Sequence, residues 1–122
     1  MDCLIELDIF SGLPNPQWRL SAEETNALIK KMEEQYLSGS KDIVLPSLGY
    51  RGLNIYFNNS LSATVCGGFI SFDSKILIDK DQALELWLLS TAKHRIDEDV
   101  RLIALQEVWG KGDQNEGTLH ER

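Results

Sequence analysis

The sequence predicts a single α+β domain in which a mainly antiparallel sheet of four to five strands is packed by two to three helices, in the order β-α-β-β-β-β-α-α. Three patterns predict this class. An N-terminal segment alternates apolar and polar residues like a strand, several short strand-like segments follow in the middle of the chain, and the last third has the apolar pattern of helices. The short turns between the middle segments make their strands antiparallel neighbours.

The first strand is predicted over residues 3–9, where apolar residues occupy every second position. Glu6 and Asp8 fall on the other face, so both carboxylates project to the same side. The chain then reads Ser-Gly-Leu-Pro-Asn-Pro over residues 11–16. Two prolines and a glycine are incompatible with regular structure, and they predict a stiff corner.

A capping box predicts the start of the first helix, because Ser21 is followed three residues later by Glu24. Apolar residues at helical spacing continue from there, and the helix is expected to end near Leu37. The polar residues 38–42 are predicted to form a loop.

The middle of the chain is predicted to be extended from residue 43 to residue 57, with its clearest alternation over 53–57. A polar turn is expected at 58–60. Gly67-Gly68 and Asp73-Ser74 then separate the remaining strands. Those strands are predicted over 61–66, 69–72 and 76–78.

The last third is predicted to be helical. Asp79 with Gln82 forms a plausible cap for a strongly apolar helix over 83–96, which should be buried against the sheet. Asp97 should cap a final helix that runs to about Trp109. The domain is therefore expected to span residues 1–110, and the polar, glycine-rich residues 111–122 are expected to form a flexible tail.

Charge and composition exclude several classes of function. Nineteen acidic residues against twelve basic ones give a net charge of −7, and the basic residues are scattered, which argues against binding to nucleic acid or to an anionic membrane. No apolar run approaches the roughly 18 residues of a membrane span, and no secretory signal is visible, which favours a cytoplasmic protein. Cys3 and Cys66 are expected to be buried free thiols.

The sequence contains none of the short motifs that usually indicate a nucleotide site, a hydrolase nucleophile or a zinc site, so no catalytic residue, metal or cofactor is predicted. The pair Glu6 and Asp8 could ligate a divalent cation or serve as acid and base. His94 has no second histidine at helical spacing, and a position near a helix C-terminus explains it. The acidic run at 97–99 is explained by helix capping.

Two corners have the composition of a recognition surface. The first is residues 11–18, which end in Trp18, and the second is residues 48–52, Leu-Gly-Tyr-Arg-Gly. Aromatic and arginine side chains on stiff loops lose little entropy on binding. The predicted binding residues are Asn15, Trp18, Tyr50 and Arg51, and the two aromatic rings are expected to be open to solvent. The alternative is structural, with Trp18 and Tyr50 packing against the fold.

The two corners, together with Trp-Leu-Leu-Ser-Thr-Ala at 87–92, resemble a family of small uncharacterised proteins. Members of that family carry an opening of the type Asp-x-Phe-Ser-Gly-Arg-Pro-Asn-Pro and a later helix of the type Trp-Leu-Leu-x-Thr-Ala. The resemblance covers roughly residues 3–96 and implies a shared single-domain fold, with no activity attached. This chain has Leu13 where the family pattern has arginine.

The leading hypothesis is a non-catalytic, soluble binding protein that recognises a protein or small ligand through the Pro/Trp and Tyr/Arg corners. One alternative is a small hydrolase or lyase that uses Glu6 and Asp8, with or without a divalent cation. Another is an acidic antagonist, such as an immunity protein that masks a basic effector. The sequence leaves the oligomeric state open.

Overall fold

The computed structural model describes residues 2–10, 12–37 and 50–120, without the side chains of 36–37 and 110–120. The predicted loop at 38–42 and the first part of the predicted extended segment, 43–49, lie outside the described residues.

The described residues form one antiparallel sheet with helices, which confirms the predicted α+β class. The strands are β1 (Cys3–Leu7), β2 (Gln17–Arg19), β3 (Tyr36–Leu37), β4 (Leu53–Phe57), β5 (Ser60–Cys66), β6 (Phe69–Phe72) and β7 (Lys75–Ile78). The helices are α1 (Ala22–Glu33), a 3₁₀ turn (Lys80–Gln82), α2 (Ala83–Thr91) and α3 (Glu98–His120). Neighbouring strands follow the order β2-β1-β4-β5-β6-β7-β3.

The sheet has more strands than the predicted four to five, because both of its edges are short strands that the sequence pattern does not show. At one edge, the three residues of β2 follow Pro16 directly and pair with β1. At the other edge, the two residues of β3 pair with β7. Such short segments are too brief to show the alternation by which strands are recognised.

Three two-residue turns connect β4, β5, β6 and β7. Their central residues are Asn58-Asn59, Gly67-Gly68 and Asp73-Ser74, and all six have positive φ angles between 51° and 91°. Two consecutive positive φ angles match the right-handed twist of the flanking strands, which explains the asparagine, aspartate and glycine at these positions. The polar turn predicted at 58–60 and the two later breaks are therefore confirmed as hairpin turns.

One face of the sheet forms the core and the other is polar. Ile5, Ile55 and Ala63 lie side by side on β1, β4 and β5 and are buried. Leu28 of α1 and Leu88 of α2 belong to the same core cluster, so these helices cover that face. In the next row of the same strands, Glu6, Asn54 and Thr64 are paired in register and only partly buried.

The first helix begins as predicted and ends earlier than predicted. The Ser21 hydroxyl accepts a hydrogen bond from the Glu24 amide at 3.1 Å, and the Glu24 carboxylate accepts one from the Ser21 amide at 2.8 Å, which confirms the capping box. Helix α1 ends at Glu33, and not near Leu37, because Tyr36–Leu37 pairs with β7. Hydrogen bonding to the sheet replaces the last helical turn.

The C-terminal helices also differ from their predicted bounds. Helix α2 ends at Thr91, and not at residue 96, and the chain turns at His94, whose φ is 67°. The Asp97 side chain accepts a hydrogen bond from the Asp99 amide at 2.8 Å, which confirms the predicted cap. Helix α3 then continues to His120, beyond the predicted end near Trp109. The part of α3 after Trp109 contains glycines, which weaken a helix, but no proline, which would block it sterically. The flexibility of residues 111–122 stays a prediction.

Among the described residues, none of the helices combines the length and the apolar character that a bilayer crossing requires.

Gly52 should be required for stability. A Cβ at this position would lie 2.5 Å from the Val65 carbonyl oxygen and 2.7 Å from the Cys66 Cβ, and the φ of 102° is itself unfavourable for other residues. We expect Gly52→Ala to lower the free energy of unfolding by about 3 kcal/mol or more in a urea titration.

The matched control is Gly12→Ala, where φ is also positive (87°) but a Cβ would meet no atom within 4 Å. In this variant only the unfavourable backbone conformation should matter, and the free energy of unfolding should fall by about 1 kcal/mol. An equal fall in the free energy of unfolding in the two variants would show that the close approach of Gly52 to Val65 and Cys66 does not affect stability.

Candidate functional site

A group of polar side chains lies where the proline-rich corner meets the start of β4, on the sheet face opposite the core. We call this group the outer polar cluster. It consists of Glu6, Asp8, Asn15, Arg51, Asn54 and Tyr56. The structure thus brings the predicted binding residues Asn15 and Arg51 together with the two candidate carboxylates.

Asn15 organises the corner through its side-chain amide. Its Oδ1 accepts hydrogen bonds from the backbone amides of Ile9, at 3.1 Å, and Phe10, at 2.8 Å. Its Nδ2 is 3.3 Å from both Glu6 Oε2 and Asp8 Oδ1 and donates to them. One amide therefore fixes the backbone after β1 and holds two carboxylates side by side.

Arg51 is held in a single orientation at the rim of this corner. Its Nε and Nη2 donate to Asp8 Oδ1 at 3.2 and 2.8 Å, and Nη2 also donates to the Phe10 carbonyl at 2.9 Å. The backbone is fixed as well, because the Arg51 amide donates to the Asp8 carbonyl at 2.7 Å. The guanidinium remains partly exposed, with 37% of the side chain accessible to solvent.

The Glu6 carboxylate connects β1 to β4. Its Oε1 accepts hydrogen bonds from Asn54 Nδ2 and from the Tyr56 hydroxyl, both at 3.0 Å. Asn54 is itself held by the Thr64 hydroxyl at 2.8 Å. Partial burial raises the pKa of the Tyr56 phenol, and its hydrogen bond to Glu6 and the negative charges of Glu6 and Asp8 raise it further.

The cluster has two carboxylates and one guanidinium, so it offers fixed donors and acceptors with a small excess of negative charge. In the part of the chain that the structure describes, no group of three or more histidine, cysteine, aspartate or glutamate side chains could hold a metal ion. The use of Glu6 and Asp8 with a divalent cation stays a prediction.

Trp18 does not present its ring to solvent, and the expectation of an exposed ring is wrong. Strand β2 pairs Trp18 with Ile5, so the indole points to the core face, and only 4% of the residue is exposed. Its Nε1 donates to the Thr91 hydroxyl of α2 at 2.9 Å. The indole therefore anchors the edge strand to a helix.

Tyr50 is also buried, with 1% of the residue exposed, so the expectation of a solvent-facing ring is wrong here too. Its hydroxyl donates to Glu85 Oε2 on α2. Burial raises the pKa of the Tyr50 phenol above its usual value, and the neighbouring charge of Glu85 raises it further. The phenol therefore stays protonated and donates to the carboxylate.

Glu85 is the centre of a buried polar group that the sequence analysis missed. It is fully buried, and its Oε1 accepts from the Gly67 amide at 3.1 Å and from Gln82 Nε2 at 3.4 Å. The sequence does contain a signal for this group, because Glu85 is the one acidic residue within the predicted helix 83–96. An acid in so apolar a helix indicates a buried, hydrogen-bonded carboxylate.

Asp79 lies beside this group and caps α2. Its carboxylate accepts from the amides of Leu84 at 2.7 Å and Glu85 at 2.9 Å, which confirms the predicted cap for Asp79, whereas the side chain of Gln82 makes no capping bond. Burial raises the pKa of this carboxyl, and the two backbone hydrogen bonds oppose the rise. Asp81 and Gln82 have left-handed φ angles of 57° and 58°, a conformation that costs energy in residues other than glycine.

Both cysteines are buried thiols, as predicted. Burial, together with the charge of Asp2, raises the pKa of the Cys3 thiol to about 11. Since the thiolate is the nucleophile, Cys3 is unsuited to covalent catalysis. His94 is exposed at the turn after α2, away from the core.

Comparison of the chain with family models, with curated proteins and with solved structures found no match in any of the three.

The hydrogen bond between Tyr50 and Glu85 should contribute strongly to stability. Tyr50→Phe removes a donor from a fully buried carboxylate, and we expect it to lower the free energy of unfolding by about 2–3 kcal/mol in a urea titration. The matched control is Tyr56→Phe, which removes a hydroxyl from the partly exposed Glu6 carboxylate. Water can replace that donor, so the loss should stay below about 1 kcal/mol. A larger loss in Tyr56→Phe than in Tyr50→Phe would contradict this interpretation.

Cys3 should be unreactive in the folded protein. Because its pKa is about 11 and the thiol is buried, a maleimide or disulfide reagent at neutral pH should modify it only at the rate of unfolding. Mass spectrometry of labelled peptides with and without urea measures this directly. Rapid modification of Cys3 without denaturant would contradict the assignment.

Proposed function

We propose that this protein is a non-catalytic binding protein that recognises its partner at the outer polar cluster. The observation that carries the proposal is the fixed and partly exposed guanidinium of Arg51, which Asp8 and the Phe10 carbonyl hold in one orientation.

A side chain held in its binding orientation loses little entropy when a partner binds. Arg51 uses Nε and Nη2 for its bonds to Asp8 and Phe10, and within the described residues Nη1 donates to no acceptor. The outer edge of the guanidinium is therefore available to a carboxylate or carbonyl of a partner. Arginine in this arrangement is typical of binding hot spots.

The surroundings of the cluster favour a protein partner over a small molecule. Leu13 is exposed in the same corner as Asn15, and Leu61 is exposed on β5 opposite Tyr56. A polar surface with apolar side chains at its margin suits a protein interface.

A second candidate is an acidic antagonist of a basic effector. The net charge of −7 favours it, and so do the two carboxylates held side by side by Asn15. Long-range attraction of this kind accelerates association and is screened by salt. Under this candidate the association rate falls steeply between low and physiological salt.

Arg51→Ala should remove partner binding while the fold is retained, because the ion pair with Asp8 is partly exposed. We expect affinity to fall by about 30-fold, as for loss of a hot-spot arginine. Quantitative affinity capture followed by mass spectrometry, with wild-type protein and variants on identical supports, measures this.

Arg19→Ala is the matched control, since Arg19 forms an exposed ion pair with Asp2 at 2.6 Å, outside the outer polar cluster. The proposal requires proteins that are enriched by the wild type and by Arg19→Ala and lost with Arg51→Ala. If Arg51→Ala retains every enriched protein, the binding site lies elsewhere.

A further inference from the structure

Helix α3 carries apolar side chains on two sides. On one side, Ala104 and Val108 are buried in the core. On the other side, Leu102, Ile103 and Trp109 are exposed by 44%, 52% and 56%. Exposed large apolar side chains gathered on one element indicate an interaction surface more often than isolated ones do. We call these three residues the α3 outer patch.

The spacing places the three side chains on one side of the helix. Leu102 and Trp109 are seven residues apart, which places them two turns apart on the same side of the helix. The exposed Gln106 lies between them, four residues after Leu102 and three before Trp109. Ile103 lies beside Gln106 at a spacing of three residues. Anchors at such spacings are those through which one helix packs along another.

Acidic residues surround the patch. Glu98 and Asp99 lie one turn before Leu102, and Glu107 lies one turn after Ile103. All three acidic residues are exposed. An apolar strip with acidic margins is complementary to a strip with basic margins.

Among the described side chains of α3, only the charge of Glu98 has a basic partner. Between Glu98 and Trp109 the single basic residue is Arg101, whose side chain is only 11% exposed. Its Nε and Nη2 already donate to Glu98 Oε1 and Oε2, at 2.8 and 2.7 Å. Asp99 and Glu107 have no basic partner among the described side chains, so a second copy of this chain would bring like charges to the contact, and charge disfavours it as the occupant.

We propose that the α3 outer patch binds a basic amphipathic helix of a partner protein. Apolar residues of that helix would cover Leu102, Ile103 and Trp109, and its lysine or arginine residues would lie against Asp99 and Glu107. The inference rests on α3 alone and is independent of the function proposed for the outer polar cluster.

The test uses the full-length protein and a synthetic peptide of about 18 leucine and lysine residues, which is long enough to form an amphipathic helix. A second peptide has glutamate in place of every lysine. We expect saturable binding of the lysine peptide, with a shift of tryptophan emission to shorter wavelength, and no binding of the glutamate peptide. Binding of both peptides with equal affinity would overturn the acidic margin as the basis of recognition.

Variants locate the contact. The double variant Leu102→Gln/Ile103→Gln should bind the lysine peptide about tenfold more weakly, because it removes two apolar anchors. Asp99→Asn/Glu107→Gln should weaken binding and reduce its dependence on salt. Ile78→Gln, which alters an exposed isoleucine on β7 outside both surfaces, should bind like the wild type. Unchanged affinity in Leu102→Gln/Ile103→Gln overturns the proposal.

Two further measurements exclude other occupants. Sedimentation equilibrium of the wild type and of Leu102→Gln/Ile103→Gln should show the same mass, because the patch is not a dimer contact. Vesicles of phosphatidylcholine, with and without phosphatidylserine, should not sediment the protein. A dimer that the variant abolishes, or sedimentation with vesicles that it abolishes, would assign the patch to a second copy or to a membrane instead.

Discussion

The buried carboxylate of Glu85 is the constraint on which the arrangement of this fold depends. A carboxylate removed from water is costly unless hydrogen bonds replace its hydration, and the cost of leaving it without donors exceeds that of most single contacts. Among the described residues, its donors include the phenol of Tyr50, the backbone amide of Gly67 in a hairpin turn, and the side chain of Gln82. Satisfying this carboxylate therefore fixes the start of β4, the hairpin between β5 and β6, and helix α2 relative to one another.

The buried hydrogen bond between Tyr50 and Glu85 also determines that the next residue, Arg51, faces the outer polar cluster. With Tyr50 directed inward to α2, Arg51 reaches outward to Asp8. Gly52 then approaches the backbone of Val65 so closely that no side chain fits, and its carbonyl accepts from the Asp8 amide at 3.0 Å. An interior hydrogen bond and a tight backbone contact thus hold the half-exposed guanidinium in place. The interior provides the rigidity that a binding residue on a loop would otherwise lack.

The sequence predicts what depends on local pattern and misses what depends on distant partners. Alternation predicted β1, β4 and the following hairpins, and a capping box predicted the start of α1, because period and caps are properties of a few consecutive residues. The edge strands β2 and β3 are too short to carry a pattern, and pairing with their neighbours alone defines them.

The inward direction of Trp18 was not predictable for a similar reason. Its partner, Thr91, is 73 residues away, and corner composition does not reveal such a partner. Asn15 and Arg51 are partly exposed, since polar side chains at a stiff corner have few alternatives to the surface, and their role in binding stays a prediction.

The excess of acidic over basic residues can be interpreted once the structural role of each acid is known. Glu85 and Asp79 are buried and satisfy backbone or phenol donors, while Glu24 and Asp97 cap helices. These acids would be needed in a fold of any function, so the net charge alone says little about partners. Other acids lie at the surface. Asp99 and Glu107 lie beside exposed apolar side chains, whereas Glu6 and Asp8 hold Asn54 and Arg51 and stay partly exposed on the outer face of the sheet. A partner can use the charge of an acid that lies beside exposed apolar or aromatic groups and that neither caps a helix nor belongs to the core. That placement, more than the total of −7, distinguishes a surface suited to a basic partner from one that is merely soluble.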